Sequence, residues 1–215
     1  MSESTSVVLA ALSSWSLLFP LLVVLLRWHR LDDVQLSLAV YLVVAAGFEG
    51  MSNILWPAFE WSNLPLLHLY TFVQFILLAW VYRVHLHKTL SLPLQRAFLG
   101  GFALFVVLNA LWLDGIENFN PHARAVESIL LVVLALSYFY SLMREMRIAR
   151  LESDSLFWIS CAVLLYFSGS FLLFIVSKYI SSSEPVMLTV WGIHSVLNIL
   201  ANIIYVIALW VCPKN

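Results

Sequence analysis

The stretch "WGIHSVLNILANIIYVIALW", residues 191–210, decides the class of this protein. It runs for twenty residues without an Asp, Glu, Lys or Arg side chain, and ~20 residues is the length an α-helix needs to cross ~30 Å of hydrocarbon. Inside it His194, Asn198 and Asn202 recur every four residues. With Trp191 and Tyr205 they share one helical face. Polar groups at bilayer depth are costly and turn towards the interior of a bundle, so this helix implies neighbours that meet its polar stripe.

The rest of the chain supplies them. The protein has 215 residues, of which 62% are hydrophobic and only 11% charged, and its mean hydropathy is +0.94. A soluble domain of this length needs far more charge to cover its surface. Seven apolar stretches fit as spans: about 6–27, 34–56, 65–82, 96–113, 123–143, 155–177 and 186–211. Short alternating segments of the kind a β-barrel needs are absent from the sequence. The expectation is an all-α polytopic membrane protein, residues 1–215 forming a single seven-helix bundle. Prolines 57, 65, 93, 121 and 185 mark the breaks between spans, and Pro20 is expected to kink the first. The N-terminal Met-Ser-Glu-Ser-Thr-Ser lacks the basic region and cleavage site of a signal peptide, so the first apolar stretch is read as a retained span.

Orientation follows from the basic residues. Arg27, Arg30, Arg83, Lys88, Arg96, Arg144, Arg147, Arg150 and Lys214 fall at one end, against Arg124 and Lys178 at the other. This places the N-terminus outside and the C-terminus in the cytoplasm, with the protein expected to be integral to the plasma membrane. Trp28, Trp80, Trp158 and Trp210 then lie near the inner interface, and Trp56, Trp61 and Trp112 near the outer one. Cys161 and Cys212, the only cysteines, both fall near the inner side, where a disulfide is not expected. A net charge of −1 and the lack of a dense basic run give no sign of a nucleic-acid partner.

A weak internal repeat accompanies the spans. Arg27-Trp-His-Arg30-Leu-Asp after the first span matches Arg147-Ile-Ala-Arg150-Leu-Glu after the fifth. "AVYLVVAAG" (39–47) then resembles "AVLLYFSG" (162–169), and His68 matches His194. Two parallel three-helix halves joined by the fourth span would give this pattern, as would ordinary likeness among apolar helices.

The intramembrane polar residues are the candidate ligand-binding set: Glu49, Asn53, His68, Asn109, Glu127, Trp191, His194, Asn198 and Asn202. With alternating span directions, Glu49, Asn53, His68, Asn109, Glu127 and His194 fall in the outer halves of their helices, and Asn202 lies deeper. A polar pocket opening outward, with Asn202 near its floor, explains that clustering. Structural readings stand beside it. His68, just after Pro65, is also placed for the membrane interface. Glu127 is one turn from Arg124 and placed to pair with it. Asn109, Asn198 and Asn202 also suit hydrogen bonding between helices. Glu49 has no basic neighbour in its own helix, and a Glu49–His194 hydrogen bond would explain both residues. In the loop 83–96, His85 and His87 are too weak a pattern for a metal site, and no cofactor or metal is expected.

"FWISCAVLLYFSGSFLLF" (157–174) and "WGIHSVLNILANIIYVIALW" (191–210) resemble uncharacterised seven-helix membrane proteins of Bacteroidetes-type bacterial genomes. That resemblance implies the membrane part of a sensory system. The topology is also similar to rhodopsin-like proteins, although residues 186–211 contain no lysine for retinal. A three-plus-one-plus-three order is similar to carriers of the SWEET and PQ-loop type, whose Pro-Gln motif is missing here. Alkaline-ceramidase-like zinc hydrolases need a His-x-x-x-His pair, which here reads His194-Ser-Val-Leu-Asn198. The expected function is a small-molecule sensor or receptor with an outward-facing polar pocket, signalling to a separate cytoplasmic protein through the basic loops 83–96 and 144–150. The alternatives are a small-solute or proton-coupled carrier and, further off, an intramembrane metal-dependent hydrolase. The oligomeric state is not legible.

Overall fold

The structure, a computed structural model, describes residues 3–59, 62–145, 151–180 and 184–211. The expectations for Trp61, Arg147, Arg150, Cys212 and Lys214, and for the side chains of Trp56 and Lys178, lie outside these residues. The described residues are almost wholly helical and contain no strand. In chain order the helices are α1 (Glu3–Ser16), α2 (Leu18–Arg27), α3 (Asp33–Phe59), α4 (Leu64–Val81), α5 (Arg83–Thr89), α6 (Leu92–Leu108), α7 (Pro121–Glu145), α8 (Ser155–Ile180) and α9 (Glu184–Trp210). A π-helical turn, Asn109–Leu113, extends α6. Seven segments are long and apolar enough to cross a membrane: Ser4–Arg30, Asp33–Asn53, Leu64–Val81, Leu92–Leu113, Pro121–Arg144, Ser155–Leu173 and Val186–Trp210. The protein is an all-α seven-helix membrane bundle.

Local chemistry explains where the boundaries depart from expectation. The first span is broken at Leu17. Pro20 lacks the N–H that would bond the Ser16 carbonyl, and its ring crowds that carbonyl. Around the break Leu17 N instead bonds Ser14 O at 3.4 Å. The fourth span begins at Leu92 rather than 96, because Pro93 fits the first turn of a helix, where its missing donor costs nothing. The expected loop 83–96 is partly helical: α5 continues from α4 after a break at Tyr82, and the Gln95 amide caps it by donating to Leu86 O and Leu90 O. Pro57 does not end its helix, and α3 runs through to Phe59.

Six spans form a ring. α1 and α2 pack on α9, α9 on α8, α8 on α7, α7 on α4, α4 on α3, and α3 closes back on α2. α6 stands outside the ring against α4 and α7, anchored by Phe102 on Phe75 at 4.0 Å between ring centroids. In span numbers the ring reads one, two, three, five, six, seven. A half-turn would carry one onto five, two onto six and three onto seven, so the order is compatible with the suspected repeat. The closest packing is among α7, α8 and α9, and the contact of α2 with α3 is brief.

The outside is apolar and the inside mixed, the pattern of a protein dissolved in lipid. Leu25, Leu26, Leu104, Trp112 and Val133 face outward. Small residues such as Ala45, Ala79, Ala135, Ala162, Ala201 and Ala208 are buried at the helix contacts, where they let backbones approach. Trp28, Trp80 and Trp210 are exposed at the basic end, as a membrane-interface belt requires.

Candidate functional site

At the end of the bundle away from the basic residues lies a half-enclosed cavity of ≈ 190 Å³. Every ring span either lines it or holds a residue that does. α3 supplies Ala45, Phe48, Glu49 and Ser52; α4 and its preceding turn supply Asn63 and Tyr70; α7 supplies Arg124; α8 supplies Tyr166; α9 supplies His194 and Asn198. The first span lines no part of it but holds two of its walls. Ser14 donates to Glu49 Oε1 at 2.5 Å, and Asn198 Nδ2 donates to Ser13 Oγ at 2.8 Å. α6 contributes nothing to this cavity.

The walls carry both charges. Glu49 is exposed, and among the described residues its carboxylate accepts the single hydrogen bond from Ser14. Arg124 is buried, with its guanidinium 5.9 Å from the centroid of the Tyr70 ring. Its charge also bears on Glu127, one turn further along α7. His194 is half-buried between Tyr166, whose hydroxyl lies 3.5 Å from its Nε2, and Ser170, whose hydroxyl lies 3.5 Å from its Nδ1. The Trp191 ring meets the imidazole edge-on at 5.8 Å. α8 can come this near because residue 169 is glycine: a Cβ there would stand 2.5 Å from Leu197 Cδ1 of α9.

Of the nine candidates, the structure brings Glu49, His194 and Asn198 to one cavity. Asn53 instead faces an adjoining groove between α1 and α3, which Glu49 also borders. Asn202, one turn below Asn198, does not form a pocket floor. It is buried and donates to Ser16 Oγ at 2.7 Å, tying α9 to the first span. Trp191 packs against Phe119 and His194 beyond the lining. Glu127 is buried behind Arg124, with no hydrogen-bond partner at Oε1.

His68 and Asn109 serve the turn 114–120. His68 Nε2 lies 3.0 Å from Asn118 O, and Asn109 Nδ2 donates to Asp114 Oδ2 at 2.9 Å. Asp114 also meets His122 Nδ1 at 2.5 Å, and Asn120 Nδ2 reaches Thr71 Oγ1 at 2.9 Å. Gly115 supplies the positive φ of +78° on which the turn reverses. His68 therefore stands apart from the cavity that Glu49 and His194 line. Among the described residues no three His, Cys, Asp or Glu side chains gather as a metal site would require.

Arg124, Tyr70 and Tyr166 were missed as wall residues. Arg124 stood in the sequence as an outer-end basic residue and a neighbour of Glu127, and tyrosines near span ends are also expected as interface anchors. Their common cavity depends on the ring order, which the spacing within a single helix does not contain.

A second cavity of ≈ 330 Å³ lies at the basic end, lined by His85, Lys88, Tyr138 and Asp154 among others. Tyr138 donates to Asp154, and His85 Nε2 lies 3.0 Å from Ser137 Oγ. His87, two residues on, points elsewhere, its Nδ1 meeting the Gln95 amide at 3.3 Å. Between the two cavities sits a packed layer that includes Tyr41, Gln74, Phe75 and Tyr205, with Gln74 Nε2 donating to Tyr41 Oη at 3.1 Å. Comparison of the chain with protein-family models, with curated proteins and with solved structures finds no match.

Proposed function

We propose that this protein is a membrane-embedded receptor for a small molecule, which binds in the cavity between Glu49, Arg124, His194 and Asn198. The observation that carries this reading is the convergence of polar side chains from five separate spans on one half-enclosed space. Such groups are expensive at membrane depth and mark ligand or ion sites. With the N-terminus outside, the cavity faces the exterior of a bacterial inner membrane. Ligand contacts that differ between two helix arrangements would shift the population of those arrangements. The shift would reach the basic end, where α5 and the residues flanking α7 would meet a cytoplasmic signalling protein.

A carrier is the second reading, favoured by one further observation. The cavity at the basic end lies across the tyrosine layer from the first, as the two faces of an alternating-access pathway would. Reconstitution separates the two. A receptor in liposomes binds its ligand with no ligand-dependent flux, and a cytoplasmic partner crosslinks to residues 83–96. Flux of a ligand abolished by Glu49→Gln, with binding retained, makes the protein a carrier.

A further inference from the structure

We propose that the ligand is a single-chain amphiphile with a primary ammonium head, drawn from the outer leaflet, its head on Glu49 and its chain in the groove between the first span and α3; this rests on the cavity being a ligand site. Three observations carry it. First, the cavity and the groove meet at one residue. Of the residues that line either space, Glu49 alone lines both. The groove opens on the lipid face, where Trp15 and Leu18 are exposed. It lies at the loosest seam of the ring: α1 scarcely touches α3, and α2 meets it only briefly. Second, the Glu49 carboxylate is under-used. It can accept about four hydrogen bonds, and among the described residues it accepts one, from Ser14. A primary ammonium brings donors for the rest and offsets a charge that is costly at membrane depth. Third, the groove is graded. Ser14, Glu49 and Asn53 stand in its outer part, while Leu17, Leu18 and Ala46 lie deeper, because the first span descends from the outer end and α3 rises towards it. A head above and a chain below is the order in which such a molecule already lies in the leaflet.

Size limits the ligand to one chain. The groove holds ≈ 300 Å³, about twice the ~150 Å³ cavity that takes a benzene-sized guest, and so suits about ten to twelve non-hydrogen atoms. Gly50 keeps it wide: a Cβ at that position would meet nothing within 4 Å. The chain itself contributes little affinity, since it leaves lipid as apolar as the groove. It fixes where the head stands, and the carboxylate supplies the preference, because a hydrogen bond between ionised partners is stronger than one from a neutral donor.

The test uses the full chain in phosphatidylcholine nanodiscs and a dodecylamine that carries a diazirine at its tail. After photolysis, mass spectrometry reads the label on residues 15–18, with the lipid-facing Leu104 of α6 as background. The expected result is labelling of residues 15–18 well above that background, displaced by unlabelled dodecylamine at concentrations about ten- to hundredfold lower than by dodecanol or dodecanoic acid. Glu49→Gln removes that preference, and Glu49→Asp keeps part of it, which separates charge recognition from misfolding. Gly50→Leu, whose side chain enters empty space, lowers the labelling at least about tenfold, while thermal unfolding confirms that the variant is folded. Dodecanol or dodecanoic acid displacing the probe as well as dodecylamine does overturns the ammonium head. Labelling that survives Gly50→Leu, or falls on Tyr70 and Tyr166 instead, overturns the groove and leaves the cavity a ligand site. Labelling of residues 15–18 no stronger than that of Leu104 overturns the amphiphile altogether, and the receptor reading then stands or falls by its own binding and flux measurement.

Discussion

The two ends of the bundle use polar side chains in opposite ways. At the basic end they are tied across helices to specific partners. Arg27 Nη1 donates to Leu209 O at 2.9 Å and to Trp210 O; Gln35 Nε2 donates to Ala208 O at 2.9 Å and to Val211 O at 2.8 Å. These are the carbonyls that the last turn of α9 leaves unpaired, and the guanidinium also meets the negative end of the helix dipole. Nearby Arg83 bonds Ser37, and Tyr82 donates to Ser160 at 3.0 Å. At the other end Glu49 lines open space, and among the described residues its carboxylate accepts one hydrogen bond, from Ser14. A polar group with its partners filled holds the fold. One left facing a cavity has bonding capacity for a ligand.

The largest expected effect is therefore structural and at the basic end. The substitution Arg27→Ala combined with Gln35→Ala strips the carbonyls of α9 of their caps in a part-buried position. Left without partners, such groups cost ~1–3 kcal/mol each, so the double variant should lose roughly 2–4 kcal/mol in reversible unfolding from lipid-detergent mixtures. A loss below ~0.5 kcal/mol would show that water reaches these carbonyls and that the basic end is no better tied than the other. Next comes Gly169→Leu. The added side chain enters the contact between α8 and Leu197, and overpacking costs ~1–3 kcal/mol. It should also move α8, carrying Tyr166 and Ser170 away from His194 and lowering ligand affinity. Unchanged affinity would mean that the cavity wall does not depend on this close approach.

The seven spans were legible in the sequence because crossing hydrocarbon imposes one length and one composition on each helix, and α4, α6, α7 and α9 begin at or next to Pro65, Pro93, Pro121 and Pro185. The stripe on α9 was legible as well, since a period of four is a property of one helix. Its division was not. Asn198 reaches the cavity while Asn202, on the same face one turn on, bonds Ser16. That division depends on the break at Leu17, which sets where the first span's serines stand against α9. His68 and Asn109 share the outer level with Glu49, but the turn 114–120 takes both. Depth along a helix is readable from sequence; the neighbour at that depth is set by ring order.

A smaller effect on stability, and a clean one on binding, is expected of Glu49→Gln. The variant keeps the shape of the side chain and can still bond Ser14. Its stability should change by less than ~0.5 kcal/mol, while affinity for the preferred ligand falls at least about tenfold. Titration and unfolding of the same preparation check both. A stability loss like that of the Arg27 and Gln35 pair would make Glu49 a tie of the same kind, and the contrast between the ends would collapse.

The smallest effect separates two neighbouring asparagines. Asn198→Ala and Asn202→Ala each delete one hydrogen bond to a serine of the first span. Interhelical bonds of this kind average ~0.6 kcal/mol, so the two variants should be destabilised alike. Their binding should differ. Asn202 is buried and outside the cavity lining, so its loss should leave ligand affinity within about twofold, below the ~1.4 kcal/mol that a tenfold change represents. Asn198 lines the cavity, and its loss removes a ligand contact as well as a tie. Equal affinity losses in both variants would place the boundary between holding and binding one turn deeper, and the cavity would extend to Asn202 when the ligand is bound.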